Sequence, residues 1–251
     1  MFSRVFSLAN YNKINISIWF LMAFQAGAIN AGGFLACHRF VSHTTGFATH
    51  FGAEFAMGKV FDAIGIASVP IFFLLGTMLS AYFVDRRISI GKKPQYSFLA
   101  WFMFFLMLIA TIGGNREWFG EFGNPMAIEP DYALLAILTM TCGIQNAMIT
   151  SASGSIIRTT HLTGITTDLG IGLIRIFSRA KTDSIVPVEK KYTIMRLGII
   201  LFFIFGSTIA SYLFYAQKYN GFLLPAGITL FLILLDLQER MNLFKKRTSH
   251  G

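Results

Sequence analysis

Long apolar runs separated by short polar stretches dominate the sequence. Six of the runs approach or exceed the roughly 20 residues that a helix needs to cross about 30 Å of hydrocarbon, so they predict transmembrane helices. These runs cover residues 14–37, 63–84, 95–113, 132–153, 197–216 and 222–238. Two further stretches, 40–58 and 160–177, are shorter, more polar and rich in Gly and Thr. Their placement decides the topology.

The composition agrees with a membrane protein. Of the 251 residues, 54% are hydrophobic and 13% are charged, whereas about 25% of the residues in a soluble domain are charged. A single soluble core of this size cannot cover so much apolar surface. The first apolar run begins only after Lys13 and is too long for the hydrophobic region of a signal peptide. We therefore expect an integral membrane protein without a signal peptide, in contact with the lipid bilayer.

The distribution of positive charge chooses between two topologies. The net charge of +9 comes from 21 basic and 12 acidic residues. If all eight stretches crossed the membrane, a strongly basic loop would lie outside in either orientation. If the two Gly/Thr stretches are re-entrant and the N-terminus is inside, 17 of the 21 basic residues lie inside. This asymmetry follows the positive-inside rule. It favours six spans with cytoplasmic termini, and it argues against nucleic acid as a partner.

The two halves of the chain resemble each other, which indicates an internal repeat. The match between 43–52 and 161–170 has five identities in ten positions without a gap. The matched segments are GAINA (27–31) with GIQNA (143–147), HTTGFATHFG (43–52) with HLTGITTDLG (161–170), and FFLLGTMLSAY (72–82) with FFIFGSTIASY (202–212). Each half then contains three crossings. Because three is an odd number, the second half is inverted relative to the first, as in many secondary transporters.

The predicted fold is an all-α integral membrane protein, with six transmembrane helices and two re-entrant half-helices in a 3+3 inverted-topology repeat. The predicted units are residues 1–113 (first repeat), 114–131 (outer acidic loop), 132–238 (second repeat) and 239–251 (basic cytoplasmic tail). A duplication that only builds a stable bundle is the alternative. A pure scaffold, however, has little need of paired polar re-entrant segments.

The two re-entrant segments supply the candidate solute site. If half-helices begin near Thr45 and Thr163, their free N–H groups and positive dipole ends favour an anion or an electron-rich oxygen at mid-depth. The threonine hydroxyls can cap these helices, and the following glycines allow close backbone approach. The predicted substrate-binding residues are His43, Thr45, Gly46, Asn30, Gln145, Asn146, His161, Thr163 and Gly164.

Ionisable residues in the same segments are candidates for proton or ion coupling. Asp168 and His50 occupy equivalent repeat positions, and ionisable groups at membrane depth usually have a function. Asp168 is the most membrane-embedded acid expected from the sequence. The alternative for Asp168 is a structural bond to Thr167, to a neighbouring helix or to Arg175. The alternative for the paired histidines is a satisfied interior hydrogen bond.

The remaining candidate residues are three amides and two arginines. The amides of Asn30, Gln145 and Asn146 lie in apolar spans, where they either bind solute or tie helices together. Arg39 and Arg158 shortly precede the paired histidines, and we expect them to attract anions towards the site.

Cys37 and Cys142 lie in apolar segments without a CxxC motif or a Cys/His cluster. We therefore expect two buried free thiols, no disulfide, no metal site and no cofactor.

The motifs GAINAGGFL (27–35), TTG (44–46), GIQNA (143–147) and RTTHLTGITTDLG (158–170) resemble the YoaK family of bacterial membrane proteins, the domain of unknown function 1275. The resemblance covers nearly the whole chain. It implies a protein of the bacterial inner membrane, and it supplies no substrate or reaction.

Two positions depart from the family pattern. Asn30 stands where the family usually has an acid, and Phe47 stands where it usually has an asparagine. If these positions bind a cation or proton in relatives, this chain lacks part of that site in its first half. The second half keeps the pattern, so the resemblance carries over Gln145, Asn146, Thr163, Gly164 and Asp168.

The leading functional interpretation is a permease for a small polar or anionic solute, with Asp168 and a histidine as candidates for proton coupling. A passive channel, and a non-transporting scaffold or partner subunit, are the alternatives. An enzyme is not expected, because the sequence has no HExxH, GxSxG or GxxxxGK[ST] motif. A homo-oligomer is compatible with each of these functions.

Overall fold

The computed structural model describes residues 13–124, 130–152, 162–180 and 183–248, and this part of the chain is helical without strands. The helices are α1 (Lys13–Cys37), α2 (Thr44–Ala56), α3 (Val60–Phe83), α4 (Asp85–Ser89), α5 (Tyr96–Asn115), α6 (Pro130–Ala152), α7 (Leu162–Ser178), α8 (Ile185–Gln217) and α9 (Leu223–Thr248), with a 3₁₀ turn at Lys218–Phe222. Cys37 and Cys142 are both buried, as predicted.

Five helical stretches are long and apolar enough to cross a membrane. Four of them coincide with α1, with α3 and α4 together, with α5 and with α6, and the fifth runs from α8 into α9 over 54 residues. The prediction of an all-helical protein with several helices of transmembrane length is therefore confirmed. In contrast, α2 and α7 have 13 and 17 residues. At 1.5 Å per residue they are about 20 and 26 Å long, shorter than the roughly 30 Å of a hydrocarbon layer.

The predicted helix bounds agree closely with the structure except at α8 and α9. The helix α8 begins at Ile185, before the predicted start at 197, and α9 continues to Thr248 instead of ending at 238. Both extensions are polar, so the hydropathy pattern alone did not include them. The start of α8 is fixed by Asp183, whose carboxylate accepts hydrogen bonds from the Ile185 N–H and from Arg179, both at 2.9 Å. The Ile185 bond is the main cause that lowers the pKa of Asp183.

Two helix pairs built from both halves of the chain form the centre of the bundle. The helix α1 packs along α8, and α6 packs along α3. Glycines allow the backbones to meet, because a methyl group at Gly27 would overlap the carbonyl oxygen of Phe203, and one at Gly206 would overlap that of Phe24. Small residues at such crossings are typical of packed membrane helices.

The second pair repeats these contacts at the matching positions of the internal repeat. A methyl group at Gly143 would overlap the carbonyl oxygen of Phe73, and one at Gly76 would overlap that of Met140. The sequence match pairs Gly27 with Gly143 and Gly76 with Gly206. The same two crossings therefore occur once in each helix pair. Four glycines, two from each half, set the closest approaches.

Hydrogen bonds show which helix ends lie together at one end of the bundle, here named the Gly123 end. The Gly123 N–H donates to the Ala36 carbonyl oxygen at 3.3 Å, and His38 Nε2 lies 3.2 Å from the Gly123 oxygen. Asn115 Nδ2 donates to Asn220 Oδ1 at 2.6 Å. The last residues of α1 and α5 and the turn between α8 and α9 therefore meet at this end.

At the opposite end, here named the Asp236 end, a different set of helix ends meets. Ser97 Oγ donates to Asp236 Oδ2 at 2.5 Å, and Ser151 Oγ donates to Asp85 Oδ2 at 2.7 Å. The Gln95 N–H donates to the Phe83 carbonyl oxygen at 3.0 Å. This end therefore contains the end of α3, the start of α5, the end of α6 and the second half of α9.

Candidate solute site

The segment that precedes α2 runs back along the last turns of α1. His38 has a φ of 52°, which turns the chain at the end of α1. The Phe34 and Phe40 rings then stack with centroids 4.7 Å apart. Ser42 reaches Asn30, whose Oδ1 accepts from the Ser42 N–H at 3.3 Å and from its hydroxyl at 2.9 Å. Asn30 lies seven residues before the end of α1, a rise of about 10 Å. The start of α2 is therefore well inside the end of α1.

His43 and Thr45 lie together at the start of α2, as predicted, but the details differ. His43 is the N-cap residue, and its side chain makes no capping bond. A hydrogen bond of 3.0 Å joins Thr45 Oγ1 to His43 Nε2 instead. The predicted threonine cap at Thr45 is therefore absent, because Thr45 is already inside the helix and its hydroxyl binds the histidine. Gly46 donates its N–H to the His43 carbonyl oxygen at 3.0 Å.

The start of α7 matches that of α2 as far as it is described. Thr167 Oγ1 donates to the Thr163 carbonyl oxygen at 3.0 Å, as Thr49 Oγ1 donates to that of Thr45 at 3.2 Å. Thr163 and Gly164 are exposed. The predicted site residues His161 and Arg158 lie outside the described residues. The approach of the two helix starts to each other is therefore not part of the described geometry.

Both predicted coupling residues are exposed on their short helices. Neither a hydrogen bond nor an ion pair joins His50 to Asp168, and the described geometry gives the Asp168 carboxylate no partner. Its backbone oxygen instead accepts from Arg196 Nη1 at 3.2 Å. Among the described residues, the buried acids are Glu189, which is 6% exposed, and Asp236, which is 2% exposed.

The amides of α6 lie at the centre of the bundle. Gln145 is fully buried, and its Nε2 donates to the Met22 carbonyl oxygen at 2.6 Å, which ties α6 to α1. Because the Met22 carbonyl oxygen can only accept a hydrogen bond, the donor must be the amide nitrogen of Gln145. The amide oxygen, Gln145 Oε1, takes no part in this bond. Gln145 Oε1 and Asn146 Oδ1 are both buried without a hydrogen-bond partner. Unpaired buried acceptors are costly, so these two oxygens are candidate solute contacts.

Arg39 is half-buried beside the end of α1. Its Nη1 donates to the His38 carbonyl oxygen at 3.1 Å, while its buried Nε has no partner. It lies at the Gly123 end of the bundle, next to the His38 contact. It therefore lies beside the end of α1 rather than at the start of α2.

A family model described as "Protein of unknown function (DUF1275)" matches residues 18–235. The chain belongs to the DUF1275 family. The resemblance inferred from the repeat motifs is thereby confirmed, and the match includes both halves of the repeat. No curated protein and no solved structure matches the chain. The DUF1275 description names no substrate or reaction, so the geometry of the candidate site carries the functional argument.

Two residues of this DUF1275 chain were missed at the sequence level. Glu189 and Arg196 form an ion pair of 2.7 Å at the contact between α7 and α8. The apolar pattern placed both outside the predicted span at 197–216. One signal was available, because residues seven apart lie on the same face of a helix, and Glu189, Thr193 and Arg196 are spaced accordingly.

Asn30 and Asn146 occupy equivalent repeat positions but differ in their bonds, which predicts different effects of alanine. Asn30→Ala removes the acceptor of both Ser42 bonds and should lower stability by about 1–2 kcal/mol. Asn146→Ala removes an oxygen without a partner and should leave stability nearly unchanged. Thermal unfolding of both purified variants tests this. Equal destabilisation by the two variants would contradict the assignment of Asn30 as a structural residue.

Proposed function

We propose that this DUF1275 protein is a membrane permease for a small polar or anionic solute, which binds at mid-depth between the starts of α2 and α7. The observation that carries the proposal is the bond between Ser42 and Asn30, which starts α2 about 10 Å inside the end of α1. Backbone that is not helical at membrane depth requires a protein interior or a water-filled cavity. Segment 38–43 is such a backbone.

The meeting of helix ends supports a re-entrant α2. The helix α1 ends at the Gly123 end, and α5 also ends there. Because α5 starts at the Asp236 end, where α3 ends, α3 must run from the Gly123 end to the Asp236 end. Between the end of α1 and the start of α3 the chain thus returns to the same end. With a length of about 20 Å, α2 fits a segment that enters and leaves on one side.

The matched glycine contacts support the inverted repeat. The helix α1 runs parallel to α8, because Phe20 meets Gly198, whereas Gly32, later in α1, meets Phe214, later in α8. The helix α6 likewise runs parallel to α3, because Tyr132 meets Gly65 near the starts of the two helices, and Ser151 bonds Asp85 at their ends. The first long helix of each half therefore packs on the second long helix of the other half. This exchange of partners is the arrangement that an axis in the membrane plane would produce.

The contacts of α7 support a start at mid-depth in the second half. Gly172 faces Glu189, and the Asp168 oxygen accepts from Arg196. The two helices are therefore antiparallel. Continued in this register, the start of α7 lies about 9 Å beyond Asp168. At that level α8 has reached Phe203, whose carbonyl oxygen lies against Gly27 of α1.

The exposed faces of the short helices support a polar path. Thr49 and His50 on α2, and Thr167 and Asp168 on α7, are exposed. Polar and ionisable groups are expensive against lipid and almost always face a bundle interior or a water-filled cavity. We therefore assign these faces to the path of the solute.

The chemistry of the site defines the solute class. Helix starts offer N–H donors and positive dipole ends, and the side chains of His43 and Thr45 add a ring nitrogen and a hydroxyl. The free oxygens of Gln145 and Asn146 add acceptors. A small solute with anionic or hydroxyl oxygens and at least one donor group fits this combination. Coupling to protons through Asp168 and His50 is part of the proposal.

We also propose that the Asp236 end faces the cytoplasm of a bacterial inner membrane, with both termini inside. The segment between α3 and α5 at this end, which includes α4, contains the cluster Arg86, Arg87, Lys92 and Lys93. The Gly123 end instead contains Arg39 and Lys218, with Glu121 only 3.9 Å from Lys218. Clustered positive charge marks the inner side.

Uptake into proteoliposomes tests the permease. A solute is first selected by thermal shift on the purified protein, and its uptake is then compared between wild type, Thr45→Val and the control Gly52→Ala. We expect a loss of at least tenfold in initial rate for Thr45→Val. Gly52 faces open space, so Gly52→Ala should retain the rate. Equal rates in all three proteins would contradict the site.

Saturation of the same flux separates a permease from a channel. A permease has a saturable rate that responds to an imposed proton gradient if Asp168 couples the two. Rapid flux without saturation would instead identify a passive channel. Absence of flux with every solute that stabilises the protein would favour a scaffold or partner subunit.

A further inference from the structure

A cluster of charges inside the protein lies where α7 packs on α8. Glu189 is 6% exposed. Its Oε1 lies 2.7 Å from Arg196 Nη1, and its Oε2 lies 3.4 Å from Arg175 Nη1. The Arg196 side chain is 19% exposed, whereas that of Arg175 is 53% exposed. Taking such charges out of water is costly, so a use beyond packing is expected.

The cluster contains more positive than negative charge. Two guanidinium groups share one carboxylate. Arg196 Nη1 also donates a hydrogen bond to the neutral backbone oxygen of Asp168, at 3.2 Å. The Asp168 side chain is exposed and forms no ion pair with either arginine. Arg196 is thus held by Glu189 while retaining donors for a second anion.

A hydroxyl without a partner adjoins the arginine. Thr193 is 9% exposed, and its buried Oγ1 has no hydrogen-bond partner. Three polar atoms lie close to the position that a Cβ atom at Gly172 would take. They are Glu189 Oε1 at 2.7 Å, Arg196 Nη1 at 2.9 Å and Thr193 Oγ1 at 2.9 Å. The three atoms therefore converge on one place against the bare backbone of α7. A buried hydroxyl that lacks a partner is costly, and this one is available to an anionic oxygen.

We propose that Arg196 and Thr193 form an anion-binding site, and that Glu189 is the internal anion which occupies it when no solute is bound. The proposal rests on the proposed permease function, and it places an anion-selecting site between the Asp236 end and the start of α7. Its ligand class is a small anion with carboxylate, phosphate or sulfate oxygens. When such an anion binds Arg196, Glu189 retains Arg175 as its partner.

Anion binding to the purified full chain tests the site without any transport measurement. Sodium acetate, sodium phosphate and sodium sulfate serve as probes at constant ionic strength, and the rise in thermal unfolding midpoint gives the apparent Kd. Glu189→Gln removes the competing anion and should bind at least one probe about tenfold more tightly than wild type. The variant itself should be less stable without the probe, because two arginines lose their partner.

Thr193→Val is the matched control for a purely structural cluster. It removes only the hydroxyl that has no partner, so the protein should fold with equal or higher stability. In the anion site, this change weakens probe binding severalfold, both alone and together with Glu189→Gln.

Two results would overturn the inference. One is that none of the three probes stabilises Glu189→Gln more than wild type, and the other is that Thr193→Val leaves probe binding unchanged. Failure of the permease proposal is distinguishable, because it removes uptake while anion binding by Glu189→Gln persists.

Discussion

Alanine at Gly206 or Gly76 should destabilise the protein by about 3 kcal/mol or more. The added methyl group would overlap the carbonyl oxygen of Phe24 in the first case and of Met140 in the second. Backbone cannot rotate away as a side chain can, so the two helices have to separate along the whole crossing. Overpacking usually costs about 1–3 kcal/mol and occasionally more, and a clash with backbone belongs at or above the upper end of that range.

The chain provides two matched controls for this result. Gly52 in α2 and Gly227 in α9 have no atoms near the position of an added methyl group. Alanine there should preserve or slightly raise stability, because it is the better helix former by about 1 kcal/mol. Thermal unfolding of the four variants in one detergent makes the comparison. A loss at Gly206 without a similar loss at Gly76 would contradict the equivalence of the two helix pairs.

Cysteines placed before and after α2 should react with an impermeant maleimide from the same side of the membrane. His38→Cys and Lys59→Cys flank α2 at exposed positions, and in the re-entrant arrangement both lie at the Gly123 end. Lys92→Cys lies in the loop between α3 and α5 and should react only from the opposite side. The expected difference between sides is all or none, since the reagent does not cross the bilayer.

Wild type is the control for this labelling, because Cys37 and Cys142 are both fully buried. Intact cells are compared with permeabilised cells, and the labelled fraction is measured by mass. Reaction of His38→Cys and Lys59→Cys from opposite sides would show that α2 crosses the membrane. That outcome would remove the re-entrant topology and with it the mid-depth start of α2.

The long apolar helices were predictable because a helix in lipid needs an uninterrupted apolar run. The sequence also placed the start of α2 within one residue of Thr45. The bond from Ser42 to Asn30 was not predictable, because it depends on how the chain turns at His38. Asn30 was assigned two roles from the sequence, and the geometry shows it holding its own segment.

The polar contacts between helices were the least predictable part of the candidate site. Asp168 stands out in the sequence as an acid among apolar and small residues, but the buried acid beside it is Glu189. Glu189 is followed by Lys190 and Lys191, and such a run of charged residues predicts a solvated loop. Only the packing of α7 on α8, which Gly172 permits, brings Glu189 and Arg196 into the interior.

The exchange of helix partners has a consequence for how the protein is built. Each half contributes one helix to each central pair, so neither residues 13–124 nor residues 130–248 contain a complete pair. A polypeptide made of one half alone lacks one helix of each central pair. The two halves are therefore interlocked pieces of one assembly, and fragments expressed separately should become stable only when they are produced together.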